Sequence, residues 1–297
     1  MPELRLTPSM RILAGLLEIR TGQTLSENRF WRIETLLRPI VRSNRLRGLD
    51  DLVAAIQADP AGPLARAVVD ALLNNETSFF RDEYLFRMVS HDLIPALMEE
   101  VRASGREKHL RLWCAGCSTG QEAYSLAMLF RDHQARWPGW KMQIVATDIS
   151  NEAVERAREG LFSQIDVQRG LPIGSLLRWF QPEGDQWRID GALREMIDFR
   201  VGNLFEDGGP LGRFDMIFCR NVLLYFSPGR KRELFHVLSR HCGEGGYLLL
   251  GAGETVIGHS NDFVASRRFR GAYERARPVS LGAGVRAAGQ AGRGGRP

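Results

Sequence analysis

The sequence predicts an α/β protein with a doubly wound, mostly parallel sheet, preceded by a small all-helical domain. Residues 8–75 carry apolar side chains at helical spacing, interrupted by glycine and proline. Beyond residue 108, short apolar runs alternate with helical patterns, which is typical of a parallel sheet covered by helices. Residues 160–196 interrupt this alternation and indicate an inserted subdomain.

The bulk composition indicates a soluble globular protein. The chain has 297 residues, of which 44% are hydrophobic and 25% charged, and this length is sufficient for two domains. No run of 18 apolar residues occurs, so we expect no membrane insertion. Because the first six residues lack the apolar stretch of a signal peptide, we expect a cytoplasmic protein.

Four short helices are predicted in the N-terminal domain. Gly22 is expected to end the first helix, and Ser26 is expected to cap the second. Pro39 lies within the second helical pattern and predicts a kink or a break there. The third helix is expected to be capped by Asp50, and the fourth to open at Pro63.

The second predicted helix is strongly basic. It contains a single acid, Glu34, and six arginines: Arg29, Arg32, Arg38, Arg42, Arg45 and Arg47. Such a helix suggests an acidic partner, and a solvated helix face is the alternative. We expect no nucleic acid as partner, because the sequence has no zinc finger, RNP motif or basic zipper.

Five strands and three helices are predicted in the second domain. The strands cover residues 110–114, 143–147, 197–201, 214–219 and 247–250, and the helices cover residues 122–130, 151–159 and 230–241. We therefore divide the chain into a helical domain (1–75), an α/β domain (76–276) and a tail (277–297). The tail consists largely of glycine, alanine and arginine, so we expect it to be disordered.

A glycine-bearing turn follows the first predicted strand. Gly116 and Gly120 allow a ligand to approach the backbone, since glycine has no Cβ. The turn matches neither the dinucleotide nor the nucleoside-triphosphate glycine motif, and it carries no cation for phosphates. Instead it ends at Glu122, which suits a ligand with cationic groups.

Polar residues also follow the other predicted strands. Asp148 can accept hydrogen bonds from both ribose hydroxyls of a nucleoside; alternatively, it caps the helix from residue 151. The Asn203 amide could bind an adenine edge, with Leu204 covering the ring, and residues 218–226 follow another strand. These segments describe a nucleoside pocket without phosphates, and S-adenosylmethionine is the common cofactor of that description.

Four cysteines are too few to cross-link a chain of this size: Cys114, Cys117, Cys219 and Cys242. The first two form a C-x-x-C motif, which occurs in redox sites and in half of a zinc site. No second C-x-x-C or C-x-x-H completes four ligands, so a structural or incidental role is favoured and no metal is expected.

Four segments together resemble the motifs of the CheR methyltransferases, which use S-adenosylmethionine to esterify glutamate side chains of chemoreceptors. The segments are Asn75-Glu76-Thr77-Ser78-Phe79-Phe80-Arg81, Cys117-Ser118-Thr119-Gly120-Gln121-Glu122 with Tyr124-Ser125, Ala146-Thr147-Asp148-Ile149, and Phe214-Asp215 through Tyr225-Phe226. They occur in the family's order and at similar spacing, and the resemblance covers about residues 10–275. The combination is more specific than any single motif.

The resemblance implies a class I methyltransferase-like fold with a helical N-terminal domain and an inserted β-subdomain at 160–196. It also implies a cofactor site formed by Asn75, Thr77, Arg81, Glu122, Asp148, Asn203, Leu204, Arg220 and Asn221. As catalytic residues we expect Arg81, which orients the substrate carboxylate, and Tyr225, which lies beside the transferred methyl group. The expected partner is the acidic helical bundle of a chemoreceptor's cytoplasmic domain, bound through helix 29–47, and the protein is expected to be a monomer.

Two segments depart from the family pattern. Some members hold a receptor's C-terminal peptide with a longer, glycine-rich loop, whereas residues 181–187 are short and contain one glycine. Residues 250–255 also differ from the Gly-His-Ser-Glu sequence that is common at this segment elsewhere in the family. We therefore expect methylation to be independent of a receptor C-terminal pentapeptide. Alternatives are a methyltransferase for another acidic protein or a small acid, and a catalytically silent signalling adaptor.

Overall fold

The computed structural model describes residues 7–25, 29–206 and 211–276. The tail at 277–297, which was expected to be disordered, and the expected helix cap Ser26 lie outside these ranges. No helix of the described residues is long and apolar enough to cross a membrane.

Four helices form the N-terminal region and share one apolar core. They are α1 (Pro8–Thr21), α2 (Trp31–Ser43), α3 (Leu49–Ala58) and α4 (Pro63–Leu72). The Thr7 hydroxyl accepts the Met10 N–H at the start of α1, and Gly22 ends the helix in the left-handed conformation, with φ 75°. Leu13 and Leu37 are fully buried in the core, and Ile149 of the second domain packs against it.

Two details of these helices differ from the sequence analysis. Of the kink or break expected at Pro39, the break does not occur, because α2 continues through it to Ser43. Proline removes one helical hydrogen bond, but the burial of Ile33 and Leu37 on one face of α2 offsets that loss. Asp50 does not cap α3, which begins one residue earlier; its carboxylate accepts the Ser9 hydroxyl instead.

A long helical segment connects this region to a seven-stranded sheet. It comprises α5 (Glu83–Met88), a π-helical turn (Val89–Leu93) and α6 (Ile94–Ala103). The sheet contains β1 (His109–Ala115), β2 (Lys141–Asp148), β6 (Ile197–Val201), β7 (Phe214–Cys219), β8 (Cys242–Leu250), β9 (Phe263–Ala265) and β10 (Ala272–Arg275). Their order is β6-β2-β1-β7-β8-β10-β9; the first five are parallel, and β10 pairs antiparallel with β8 and β9.

Helices cover both faces of this sheet, and each face has its own apolar core. Along β1, Leu112 and Cys114 belong to one core, whereas Trp113 and Ala115 belong to the other. This alternation explains why the strand is apolar at consecutive positions. The covering helices include α7 (Gln121–Asp132), α8 (Asn151–Glu159) and α12 (Pro228–His241). The predicted doubly wound α/β fold is confirmed, and the carboxyl ends of the parallel strands meet at one edge.

The inserted β-subdomain is also confirmed as a small antiparallel sheet. It contains β3 (Leu161–Ser163), α9 (Gln164–Gln168), α10 (Ile173–Trp179), β4 (Phe180–Glu183), β5 (Gln186–Ile189) and α11 (Gly191–Arg194), with the strand order β3-β5-β4. The rings of Phe162 and Phe180 pack edge-on against Phe79, with centroids 5.0 and 5.6 Å away. The subdomain thus packs against the segment that bears Arg81.

Candidate active site

A cleft of about 860 Å³, including its open mouth, lies at the carboxyl ends of β1, β2, β6 and β7. The structure brings all ten of the site residues expected from the sequence to this cleft. They are Asn75, Thr77, Arg81, Glu122, Asp148, Asn203, Leu204, Arg220, Asn221 and Tyr225.

The turn after β1 forms one wall of the cleft. The N–H groups of Gly116 and Cys117 both donate to the Thr147 carbonyl, at 2.8 and 3.0 Å, so the turn is held against β2. Gly116 has φ 88°, and a Cβ there would lie 2.6 Å from a methyl group of Val222. Only glycine fits both this conformation and this approach.

Asp148, the last residue of β2, is buried in the wall of the cleft. Its carboxylate accepts the N–H groups of Ser118 at 2.7 Å and Ser150 at 3.0 Å. Burial raises the pKa of Asp148, and these two bonds oppose the shift. The cap of α8 is Ser150, whose hydroxyl accepts the Ala153 N–H, so the interpretation of Asp148 as the helix cap is wrong. Each carboxylate oxygen retains acceptor capacity beyond one hydrogen bond.

Arg220 forms a buried ionic group with two carboxylates. Its guanidinium donates to Glu122 at 2.8 Å, to Asp82, and to the Arg81 carbonyl at 2.9 Å. Burial raises the pKa of Glu122, and Arg220 opposes that shift. Two carboxylates around one guanidinium leave a formal charge of −1, which suits a cationic ligand.

The segment that bears Arg81 is held in an unusual backbone conformation. Phe80 and Asp82 have φ values of 46° and 66°, and the Phe80 N–H donates to the Ser125 hydroxyl at 2.9 Å. The Asp82 carboxylate next to Arg81 binds Arg220. The Arg81 guanidinium lies 3.5 Å from the Glu76 carbonyl.

Tyr225 lies where the N-terminal helices meet the cleft. Its hydroxyl accepts a hydrogen bond from the Asn74 amide, and its carbonyl accepts the Thr24 N–H at 2.7 Å. The Arg29 guanidinium lies over the ring, 5.5 Å from the centroid. Asn74 was not among the expected site residues, although the paired asparagines at 74 and 75 were a signal.

Asn203 and Leu204 line the opposite wall, just beyond β6. The Asn203 amide oxygen accepts the Phe205 N–H at 3.1 Å, and its nitrogen donates to Glu206 at 3.1 Å. The amide is thus engaged within its own turn. Contact with an adenine edge requires one of these bonds to be exchanged or shared.

Glu254 also organises the cleft and was missed as a site residue. It lies in the turn after β8 and accepts the N–H groups of Asn221, Leu223 and Gly251 at 2.7, 2.8 and 2.8 Å. The glycine and the glutamate at 251 and 254 were visible in the sequence as part of a family-like segment. Nothing local, however, indicated a bond to a loop about 30 residues upstream.

The groups that line the cleft fit a nucleoside that carries a cation. It combines a glycine cradle and two buried carboxylates, and no lysine lines it in the described part of the chain. The Arg220 Nε is buried and has no hydrogen-bond partner among the described residues. The four cysteines are buried and free, and burial raises the pKa of Cys114 and Cys117. No cluster of three metal-binding side chains occurs within 7–25, 29–206 and 211–276.

Comparisons with known proteins agree with this geometry. The family model described as "CheR methyltransferase, SAM binding domain" matches residues 75–270. Chemotaxis protein methyltransferase Cher2 of Pseudomonas putida is 38% identical over 246 residues, covering 82% of this chain and 88% of that protein. Chemotaxis protein methyltransferase of Vibrio parahaemolyticus is 36% identical over 260 residues, covering 86% and 92%. Chemotaxis protein methyltransferase 1 of Pseudomonas aeruginosa is 37% identical over 244 residues, covering 81% and 87%.

The matched range begins at Asn75 and contains every residue of the cleft expected from the sequence. The match over this whole range supports both the resemblance to the CheR methyltransferases and the expected cofactor, S-adenosylmethionine. The chain belongs to the CheR methyltransferase family and is an S-adenosylmethionine-dependent methyltransferase.

Proposed function

We propose that this protein transfers a methyl group to glutamate side chains in the cytoplasmic domain of chemoreceptors. The product is a glutamate methyl ester, and its formation serves sensory adaptation. The observation that carries the proposal is the convergence of Arg81 and Tyr225 on the cleft that also holds Asp148 and Glu122. The names of the relatives, chemotaxis protein methyltransferases, support the same substrate class.

The reaction requires that the carboxylate and the methyl group be oriented, and it requires no proton transfer. S-adenosylmethionine would supply a methyl group activated by a sulfonium sulfur: an oxygen–carbon bond to the carboxylate forms, the carbon–sulfur bond breaks, and S-adenosylhomocysteine leaves. A glutamate carboxylate is ionised at pH 7, so the reaction needs no general base. We assign Arg81 to orient that carboxylate by paired hydrogen bonds and Tyr225 to limit its position. Well-oriented reactants recover about 7–11 kcal/mol of an activation barrier.

The remaining cleft residues are proposed to bind the cofactor. Asp148 accepts the ribose hydroxyls, and the group formed by Glu122 and Arg220 lies on the wall suited to the cationic part. The other proposed contacts are Asn75, Thr77, Arg81, Asn203, Leu204 and Asn221. No metal takes part in this scheme.

The proposed function is tested with methyl-labelled cofactor and receptor cytoplasmic fragments. We expect base-labile label on glutamate, since carboxyl methyl esters hydrolyse in mild base. The control is the same fragment with its labelled glutamates changed to glutamine. Label on another residue type, or on added small acids but not on receptor, contradicts the proposal.

Asp148→Ala is expected to raise the Kd for S-adenosylmethionine about 10- to 150-fold. The reason is the loss of charge-assisted hydrogen bonds worth about 1.5–3 kcal/mol. Titration calorimetry gives the affinity. The control is Asp190→Ala, which removes the cap of α11 and is expected to lower stability by about 1 kcal/mol without changing affinity. A variant at 148 that binds as wild type removes Asp148 from the cofactor site.

Helix α2 is proposed to dock on the acidic receptor bundle. The basic residues of this region lie in and around α2: Arg29, just before the helix, lies over Tyr225, whereas Arg38 and Arg42 are exposed along the helix. Arg45 is exposed just beyond its end. A receptor helix lying along this face would bring its glutamates to the mouth of the cleft. Complementary charges mainly increase the association rate.

The double charge reversal Arg42→Glu with Arg45→Glu is expected to slow receptor association about tenfold or more at low salt. The variant should also show a weaker salt dependence, with an unchanged cofactor affinity. Stopped-flow association and initial methylation rates measure both effects. Arg66→Glu, a single charge reversal at an exposed position of α4, is the control. An unchanged methylation rate at low salt would contradict the docking role and favour the alternative that the basic face of α2 is simply solvated.

The edge of the β-subdomain supports independence from a receptor pentapeptide. β4 is an edge strand, joined to β5 by the two-residue turn Gly184–Asp185, and Glu183 pairs with Gln186 next to it. In such a hairpin the backbone nitrogen and carbonyl of the preceding residue, Pro182, are directed towards the free edge. Proline has no N–H there, so an added peptide strand loses a hydrogen bond. The Glu183 carboxylate in this hairpin is already paired with Arg188, so Pro182 is the feature that disfavours an added strand.

A receptor lacking its C-terminal tail is therefore expected to be methylated as fast as the full receptor. Fluorescence titration with tether-type pentapeptides should show no micromolar binding. Pro182→Val restores an edge N–H and serves as the informative companion variant. Micromolar binding by the wild type, or activity lost with the tail, would show that this assignment is wrong.

A further inference from the structure

Glu254 is a partly buried carboxylate that the proposed chemistry does not use. Two of its three N–H donors, Asn221 and Leu223, belong to the loop that follows β7 and ends at Tyr225. The third donor, Gly251, belongs to its own turn. Charge-assisted bonds are about twice as strong as neutral ones, so this carboxylate ties the two loops firmly together.

The tied loop has a backbone conformation that needs such support. Asn221 has φ 60°, in the left-handed region that a non-glycine residue adopts at a cost in energy. The contact is also close: a Cβ at Gly251 would lie 2.8 Å from the Glu254 carboxylate and 2.9 Å from the Asn221 amide. Glycine at 251 is therefore needed for the close contact between the Glu254 turn and the loop at Asn221.

The loop is short, so a displacement at its start reaches Tyr225. Residues Leu223–Tyr225 form one 3-10 turn, in which the Tyr225 N–H donates to the Val222 carbonyl at 3.2 Å. At its far end, the Tyr225 carbonyl binds Thr24 and its hydroxyl binds Asn74. Glu254 thus fixes one end of the loop, and the N-terminal region fixes the other.

We propose that Glu254 is a positioning residue that holds Tyr225 in line for methyl transfer through residues 221–223. This inference rests on the proposed role of Tyr225. It does not depend on which carboxylate-bearing substrate the enzyme uses.

The test is Glu254→Gln, which keeps the size of the side chain but leaves one oxygen acceptor and turns an NH₂ group towards N–H donors. We expect the amides of Asn221 and Leu223 to lose protection against hydrogen exchange. We also expect kcat to fall about 10- to 100-fold, as for small misplacements of reactive groups, and by more than the cofactor Kd rises. In a Tyr225→Ala background the same substitution should lower kcat little further, because its target side chain is gone.

The matched control is Glu244→Gln, at the exposed opposite end of β8, which should change none of these quantities. If Glu254→Gln does not fold, Gly251→Ala disturbs the same contact and should give the same pattern. Unchanged exchange at Asn221 and Leu223, or an equal fractional loss of kcat with and without Tyr225, overturns the inference. A wild type that methylates no receptor fragment instead contradicts the proposed function, and the exchange measurement still tests Glu254.

Discussion

Replacing Arg220 with methionine is expected to lower the free energy of unfolding by about 3 kcal/mol at pH 8. The Arg220 side chain is 1% exposed and binds Glu122 and Asp82, which are 15% and 40% exposed. Without the guanidinium, Glu122 retains a buried charge that has lost its ion pair. We use the lower end of the usual range because Asp82 can be solvated. At about 2–4 °C per kcal/mol, the Tm should fall by about 6–12 °C.

The deficit of this variant should shrink at low pH. Burial raises the pKa of Glu122, and Arg220 opposes that shift, so the substitution raises the pKa further. A carboxyl whose pKa is raised by folding costs stability as pH rises from its unfolded pKa through its folded pKa. Below that window Glu122 is protonated in both states, and its cost disappears.

Denaturant unfolding of wild type and variant at several pH values measures this difference. The control is Arg47→Met, which removes an exposed pair with Asp51 and is expected to leave the free energy of unfolding nearly unchanged. A deficit of the same size at pH 5 and pH 8 would show that lost packing, rather than the unpaired Glu122 charge, dominates.

Arg81→Ala and Tyr225→Phe are each expected to lower turnover more than cofactor affinity. Loss of the oriented guanidinium removes a charge-assisted bond of about 1.5–3 kcal/mol, which corresponds to about 10- to 150-fold in kcat/KM. Tyr225→Phe removes one neutral hydroxyl, already bonded to Asn74, so its effect should be smaller. Steady-state methylation gives kcat and KM, and calorimetry gives the cofactor Kd.

Two neighbours in α5 provide matched controls. Arg87→Ala and Tyr84→Phe change exposed side chains of the same types, and neither lines the cleft. Arg81→Lys keeps the charge but loses the planar pair of donors, so it should recover only part of the activity. Full turnover in Arg81→Ala and Tyr225→Phe removes both residues from the catalytic assignment.

Much of the fold follows from local patterns in this chain. The residues Asp148 and Arg220 stand at the end of apolar runs, and the carboxyl ends of parallel strands meet at one edge of a sheet. Strand periodicity alone therefore placed both residues at the same cleft. The antiparallel strands β9 and β10 were not predicted, because they are short and partly exposed and lack a continuous apolar run.

The network inside the cleft could not be predicted in the same way. Asp82 binds Arg220 across 138 residues, and the Asn74 amide binds Tyr225 across 151. Such pairs leave no periodic signal, since periodicity reports which face of an element is buried and not which polar groups meet. The interpretation of Asp148 as a helix cap failed for this reason: the sequence shows that it precedes α8, but not that its carboxylate faces Ser118.

The amino-acid sequence by itself determined the four N-terminal helices, the five parallel strands, the cofactor class and the candidate residues at the cleft. The elements depend on local periodicity and on glycine at turns, and the candidate residues depend on contiguous motifs that resemble those of the CheR family. Only the tertiary structure decided how those residues are held, including the left-handed backbone at Phe80, Asp82 and Asn221. That conformation is unfavourable for the isolated segments, and it persists because distant groups such as Ser125, Arg220 and Glu254 bind them.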